Sequence, residues 1–160
     1  MTITDNTQYK SKIMDKIINT PDVVTLINNP AIISSQPDSM KNVNVFSRMK
    51  IPNTTLNVKN YICFNFNSRI HSANKVFKDI IFEIAIICHE DEVDIDGTNR
   101  HDLLAGVISE AFNWSKFLGF ELELTSDTES ILEKEYYCRT LQFRNLTPNS
   151  LSNGEKMDGD

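Results

Sequence analysis

Tyr61-Ile62-Cys63-Phe64-Asn65-Phe66-Asn67, followed after a polar break by Val76-Phe77-Lys78-Asp79-Ile80-Ile81-Phe82-Glu83-Ile84-Ala85-Ile86-Ile87-Cys88-His89, is the stretch on which the fold turns. In the first run Ile62, Phe64 and Phe66 alternate with Tyr61, Cys63 and Asn65, the two-residue period of a half-buried strand. In the second, β-branched residues dominate from Ile80 to Ile87, which predicts a long central strand. The polar His71–Lys75 segment between them is a loop across which the two runs pair antiparallel.

Downstream, Leu103, Leu104, Val107, Ile108, Ala111 and Phe112 recur at three- and four-residue spacing and predict an amphipathic helix over Asn99–Trp114, capped by Thr98 or Asp96. Phe120–Leu124 alternates as a third strand and Tyr136–Arg144 as a fourth, with the polar Ser126–Glu135 read as the loop between them. Upstream, Ile13, Ile17 and Ile18 sit at helical spacing. The chain then breaks at Thr20-Pro21, where Thr20 is a cap and Pro21 a first helical position, and resumes with Val23, Val24, Leu26 and Ile27. Residues 30–56 carry Pro30, Pro37 and Pro52 among many Ser and Asn, and read as a long irregular connection of the kind that is functional or mobile. The order helix, strand, strand, helix, strand, strand predicts an α+β domain. Its expected architecture is a four-stranded, mostly antiparallel sheet with helices packed on one face, a two-layer sandwich. Residues 1–149 form this single domain in the reading, and 150–160, rich in Ser, Asn, Gly and Asp, form a disordered tail.

The chain has 160 residues, of which 40% are hydrophobic, enough at this length for a core without disulfide staples. Its 16 Lys+Arg against 22 Asp+Glu give a net charge of −6, which argues against a general phosphate-neutralising surface. Residues Met1–Asn6 lack the basic and apolar regions of a secretory signal, and Ile80–Cys88, interrupted by Glu83, is too short for a membrane span. The expectation is a protein made in a cytoplasm, with no membrane partner. Cys63, Cys88 and Cys138 each lie in an apolar or aromatic run, the setting of buried reduced thiols.

Glu90-Asp91-Glu92-Val93-Asp94-Ile95-Asp96-Gly97 places five carboxylates in seven positions. Counted as a calcium loop from Glu92, it supplies Asp94, Asp96 and Gly97 but has Arg100 at position 9 and Leu103 at position 12, where acidic ligands belong. The alternative is a solvated turn whose acids sit near the positive end of the following helix. His71, His89 and His101 have no zinc-type spacing to a second ligand pair. No Ser or Cys can be placed beside a base and an oxyanion site, and no glycine-rich phosphate loop is present. No catalytic residue, cofactor or metal ligand is therefore nominated. Arg48, Arg100, Arg139 and Arg144 serve either solubility or salt bridges across a subunit interface, with Arg139 and Arg144 on opposite faces of one strand. Phe46, Met49, Ile131 and Leu132 lack an evident core position and are candidate interface residues.

Val45-Phe46, Lys50-Ile51-Pro52, Tyr61-Ile62-Cys63-Phe64, Ile86-Ile87-Cys88-His89-Glu90, Gly97-Thr98-Asn99-Arg100-His101-Asp102-Leu103-Leu104 and Arg139-Thr140-Leu141-Gln142-Phe143 together resemble the small head-to-tail connector and neck proteins of tailed phages, most nearly the tail-terminator family. The resemblance spans residues 8–147. It implies a non-enzymatic virion protein, made in the host cytoplasm, that forms a homo-oligomeric, hexameric ring. Its partners would be the tail tube protein and a head-closure or connector protein, with DNA passing through the ring without specific binding. A net negative subunit suits that passage, because strong Lys and Arg contacts would retain the polymer. Two alternatives stand beside this: a head-closure adaptor, and a small metal-dependent cytoplasmic enzyme of nucleic-acid metabolism using His89 and the Glu90–Asp96 acids.

Overall fold

The computed structural model of the chain describes residues 5–32, 35–49, 59–70, 72–73, 75–133 and 135–148. The two diagnostic runs form β2 (Asn60–Ile70) and β3 (Phe77–His89), paired antiparallel in unbroken register from Asn60 opposite Cys88 to Ile70 opposite Lys78. The fourth predicted strand is β7 (Tyr136–Pro148), antiparallel to the other edge of β3 from His89–Tyr136 to Phe77–Pro148. β3 is thus central, as its continuous apolar run requires. Beyond β7 lies β6 (Glu123–Glu133), and beyond β2 a two-residue strand β1 (Val45–Phe46), parallel to β2. The sheet order is β1-β2-β3-β7-β6.

The sheet therefore has five strands where four were expected. The fifth, β1, lies inside the stretch read as irregular, because its apolar signal is only two residues long. Asparagines hold it in place. Asn44 O accepts from Ile62 N at 2.7 Å, Asn44 Nδ2 donates to Asn60 O at 2.9 Å, and Asn29 Nδ2 donates to Asn44 Oδ1 at 2.9 Å. A short 3-10 turn, Pro37–Met40, precedes it. The third strand also differs from expectation. It begins at Glu123 and runs through Ser126–Glu133, the stretch taken for a loop. An edge strand has one ladder partner and two wet faces, so Ser126, Asp127, Thr128, Glu129 and Ser130 suit it without an apolar alternation. Phe120–Leu122 instead folds under the end of the long helix, with Trp114 N donating to Leu122 O at 2.7 Å and Leu122 N to Ser115 O at 3.1 Å.

The helices are α1 (Asp5–Ile18), α2 (Pro21–Ile27), the single turn α3 (Glu90–Val93) and α4 (Arg100–Phe112). Pro21 opens α2 after Thr20 as expected, although Thr20 Oγ1 donates back to Lys16 O rather than capping. Asn99, not Thr98 or Asp96, is the N-cap of α4, and it makes no side-chain capping bond. Asp96 and Gly97 are instead the two central residues of a tight hairpin joining β4 (Asp94–Ile95) to β5 (Thr98–Asn99), with φ of 49° and 78°. Positive φ at both positions of a two-residue loop is the primed turn that hairpins favour, and Asp-Gly is a sequence that adopts it.

Helices α1, α2 and α4 bring Ile13, Ile17, Val23, Ile27, Leu104, Ile108 and Phe112 onto one face of the sheet, against Ile62, Phe64, Ile80, Phe82, Ile84, Ile86, Leu141 and Phe143. Phe82 is the hinge of this core: its ring meets those of Phe64, Phe112 and Phe143 at 6.0, 5.5 and 5.6 Å. The α+β class and the one-sided helix layer agree with the expectation. The opposite face carries a smaller cluster, Phe46, Tyr61, Cys63, Ala85, Ile87, Tyr136 and Cys138. All three cysteines are buried and free. No helix among the described residues is long and apolar enough to cross a membrane. The tail at 150–160 lies outside the described residues.

Candidate functional site

The face of the sheet without helices holds a groove of about 400 Å³. Its floor is Glu83, Ala85 and Ile87 of β3 with Cys138 and Thr140 of β7, and its rims are Met49 on one side and Ser130 and Leu132 of β6 on the other. The strand period explains the floor, since odd residues of β3 and even residues of β7 point away from the helices. Met49 is 45% exposed and Leu132 41%, so two expected interface residues rim one apolar depression. Ile131 is 70% exposed and lies opposite Tyr137, on the helix side of the same strand.

Phe46 does not stay exposed. It is buried against Tyr61, ring centres 6.2 Å apart, and Arg48 sits over its outer side at 5.7 Å. Its apolar contact is satisfied within the chain, which corrects the reading that it lacked a core position. Arg100 is likewise buried: Nε donates to Glu92 O at 2.7 Å and Nη1 to Leu26 O at 2.7 Å. That guanidinium satisfies carbonyls that the ends of α2 and α3 leave open, so it joins helices of one chain rather than two subunits.

Arg139 and Arg144 point to opposite faces, as their spacing requires. Arg144 Nη2 donates to Asp79 Oδ2 on the open face. Arg139, on the helix face, donates from Nη1 to Asp102 Oδ1 at 2.8 Å and from Nε to Asp127 Oδ1 at 2.7 Å. The Asp127 bond is the main cause raising the Arg139 guanidinium above its ordinary pKa, with Asp102 adding to it. Beside this pair His101, 1% exposed, places Nε2 at 2.8 Å from Glu129 Oε1 and 3.5 Å from Asp102 Oδ1. The network links α4 to β7 and to the edge strand β6. His101-Asp102 was visible in the sequence, but Glu129 was hidden in a presumed loop.

His101, Asp102 and Glu129 could offer three ligand atoms to a metal ion. The donor set does not favour one. Asp102 Oδ1 is already taken by a guanidinium, whose positive charge would stand beside the ion. The buried Nδ1 of His101, which has no partner among the described residues, belongs to the opposite side of the ring. An Nε2–H tautomer donating to Glu129 leaves that Nδ1 as a bare lone pair, the less costly of the two orphans. The Glu90–Asp96 run does not gather around a histidine either. Asp91 is its one member within 4 Å of one, at 3.3 Å from His89 Nδ1, with Glu135 at 3.4 Å from Nε2. Glu92 is drawn away by Asn60 Nδ2 at 2.8 Å, and Asp96 serves the hairpin turn. The converging acids required by the metal-enzyme alternative are thus not assembled among the described residues. His71 lies outside them.

The chain is thus a two-layer α+β protein with an open groove on the sheet face opposite its helices. The chain matches the YomW family over residues 7–145 and belongs to it. That family is associated with phages and Bacillus prophages. No curated protein matches the chain.

Proposed function

We propose that this chain is a non-enzymatic structural protein of the phage neck, a tail terminator that caps the tail tube as a homo-oligomeric ring and joins it to the head. The observation that carries this reading is the sheet face that no helix among the described residues covers, where Met49 and Leu132 rim a groove with apolar residues on its floor. Exposed apolar surface of this kind marks association sites. Phage-associated family membership and the resemblance to neck proteins support the same reading. A ring closes by rotation and needs two different complementary patches on every subunit, and the faces and edges of this sheet differ in charge and shape. A net charge of −6 suits a ring through which DNA passes without being held.

The test is the mass of the purified chain by light scattering, alone and with isolated tail tubes, with negative-stain imaging of tube ends. Rings in solution or on tube ends support the proposal. Rings that bind filled heads but ignore tubes move the protein to the head-closure position. A monomer that ignores both overturns it.

A further inference from the structure

We infer that copies of this chain join head to tail by continuing the sheet, the β6 edge of one copy seating along the open edge of β2 in the next. This deepens the ring reading and rests on it.

Among the described residues both edges have backbone that no strand covers, and the two are unlike. Among the described residues β6 pairs only with β7, and between its two register shifts the segment Ser126–Ile131 keeps regular pairing. Its outer backbone is a row of donors and acceptors with no strand beside it among the described residues. At the other end, β1 covers only Ile62 and Cys63 of β2. Ile62 N–H points outward to Asn44 O, so by the alternation of a strand the outward backbone groups beyond it belong to Phe64, Phe66 and Ser68. Among the described residues no strand pairs with them. Alongside runs a second groove, of about 440 Å³, between α1 and the sheet, lined by Lys10, Lys41, Ser47 and Phe66 among others.

Charge selects the occupant. β6 carries Glu123, Asp127, Glu129 and Glu133 and no Lys or Arg, and lysine is the residue that most often blunts an edge. Lys10 in the receiving groove donates to Ser47 O and pairs with no carboxylate among the described residues. Asp127 and Glu129 lie opposite Leu141 and Arg139, on the helix face of the sheet, where Arg139 and His101 engage Asp127 Oδ1 and Glu129 Oε1 and the second oxygen of each carboxylate is left to meet a further cation. A sheet continued into the next copy with its helix layer on the same side therefore brings them to the side where α1 carries Lys10. A two-fold pairing of β6 with itself about Thr128 would set Asp127 against Glu129, like charges directly opposed. Head-to-tail joining avoids that repulsion, and it is the type of contact that generates rings.

Thr128 and Asn67 are exposed on the open face of the two edges, and the native thiols are all buried, so each position accepts a single reactive cysteine. Thr128→Cys and Asn67→Cys are prepared as separate full-length chains, mixed, and treated with a short bis-maleimide, alone and on tail tubes. The expected result is a cross-linked heterodimer only in the mixture, and a ladder of multimers from the chain bearing both changes. Lys10→Glu should reduce cross-linking at least tenfold at low salt, while 1 M salt weakens it in the unaltered pair. Homodimers from Thr128→Cys alone would overturn the inference in favour of two-fold pairing. Rings without any cross-link would overturn it while leaving the ring reading intact. Monomers that ignore tubes and heads would overturn both.

Discussion

Asp102 in the first turn of α4 accepts a hydrogen bond from Arg139 of β7 at 2.8 Å, and the same guanidinium reaches Asp127 of β6 at 2.7 Å. One side chain thereby fastens a helix and an edge strand to the interior of the sheet. Arg139 is 24% exposed, which places its pairs between the negligible surface case and the costly buried one.

Arg139→Lys should lower stability by about 1 kcal/mol, because an ammonium cannot hold two carboxylates with a planar fork. A denaturant midpoint series with Asp102→Asn and the double variant measures the coupling. Additive effects of the two changes would show that the contact contributes nothing.

Arg100→Ala should cost more, about 2 to 3 kcal/mol, since it strands Leu26 O and Glu92 O in a buried place. Its particle mass on tail tubes should be unchanged wherever the variant is folded. A folded Arg100→Ala chain that has lost assembly would return this residue to the interface.

Burial pushes the Cys88 thiol up to about 12 from an ordinary value of 9.0, and burial likewise raises Tyr61. Above pH 9 the unfolded chain releases the thiol proton while the folded chain keeps it. The native state then binds more protons, so stability is full below pH 9 and falls as pH rises toward 12, by about 1.4 kcal/mol per unit for the thiol. Cys88→Ala should flatten that slope in urea titrations at pH 8 to 10.5. Native protein should also react with a thiol reagent at pH 8 only on unfolding.

Gly97→Ala should destabilise by about 1 kcal/mol, because φ of 78° is strained for any residue with a Cβ. Asp94→Asn with Asp96→Asn should leave the melting temperature and its response to millimolar calcium unchanged. A calcium-dependent rise in the unaltered chain, lost in the double variant, would restore the calcium loop.

Leu132→Asp, at the exposed rim of the groove, should shift stability by less than about 0.5 kcal/mol and yet diminish assembly on tail tubes. Unaltered assembly, measured by light scattering, would remove the groove from the working surface.

The core strands were legible because burial on one or both faces writes itself as alternation or as an apolar run: Ile62-Phe64-Phe66 and Ile80–Ile87 leave little choice. β6 was not, because an exposed edge strand such as Ser126–Ser130 is held by backbone pairing with β7, which side-chain pattern does not encode. β1 was missed for a related reason, its two apolar residues being too few for periodicity and its anchors, Asn29, Asn44 and Asn60, being residues typical of loops. At the candidate site, exposure was read correctly for Met49, Ile131 and Leu132. It was misjudged for Phe46 and Arg100, whose partners come from β2, α2 and α3. The His101–Glu129 contact joins residues 28 apart, and nothing local in either segment announces the other.

The β3–β7 seam also sets the order in which the chain must assemble. The β2–β3 and β6–β7 hairpins are each closed by short connections and can form from local sequence, whereas the seam pairs residues far apart along the chain, from His89 with Tyr136 to Phe77 with Pro148. Bringing distant segments together carries the larger loop-closure entropy, so the joining of two preformed hairpins is the slow step. Phe82, Phe112 and Phe143 meet only when it completes. Until then each hairpin presents one flank of its longest strand unpaired, and at high concentration of nascent chains such a flank can find the wrong neighbour.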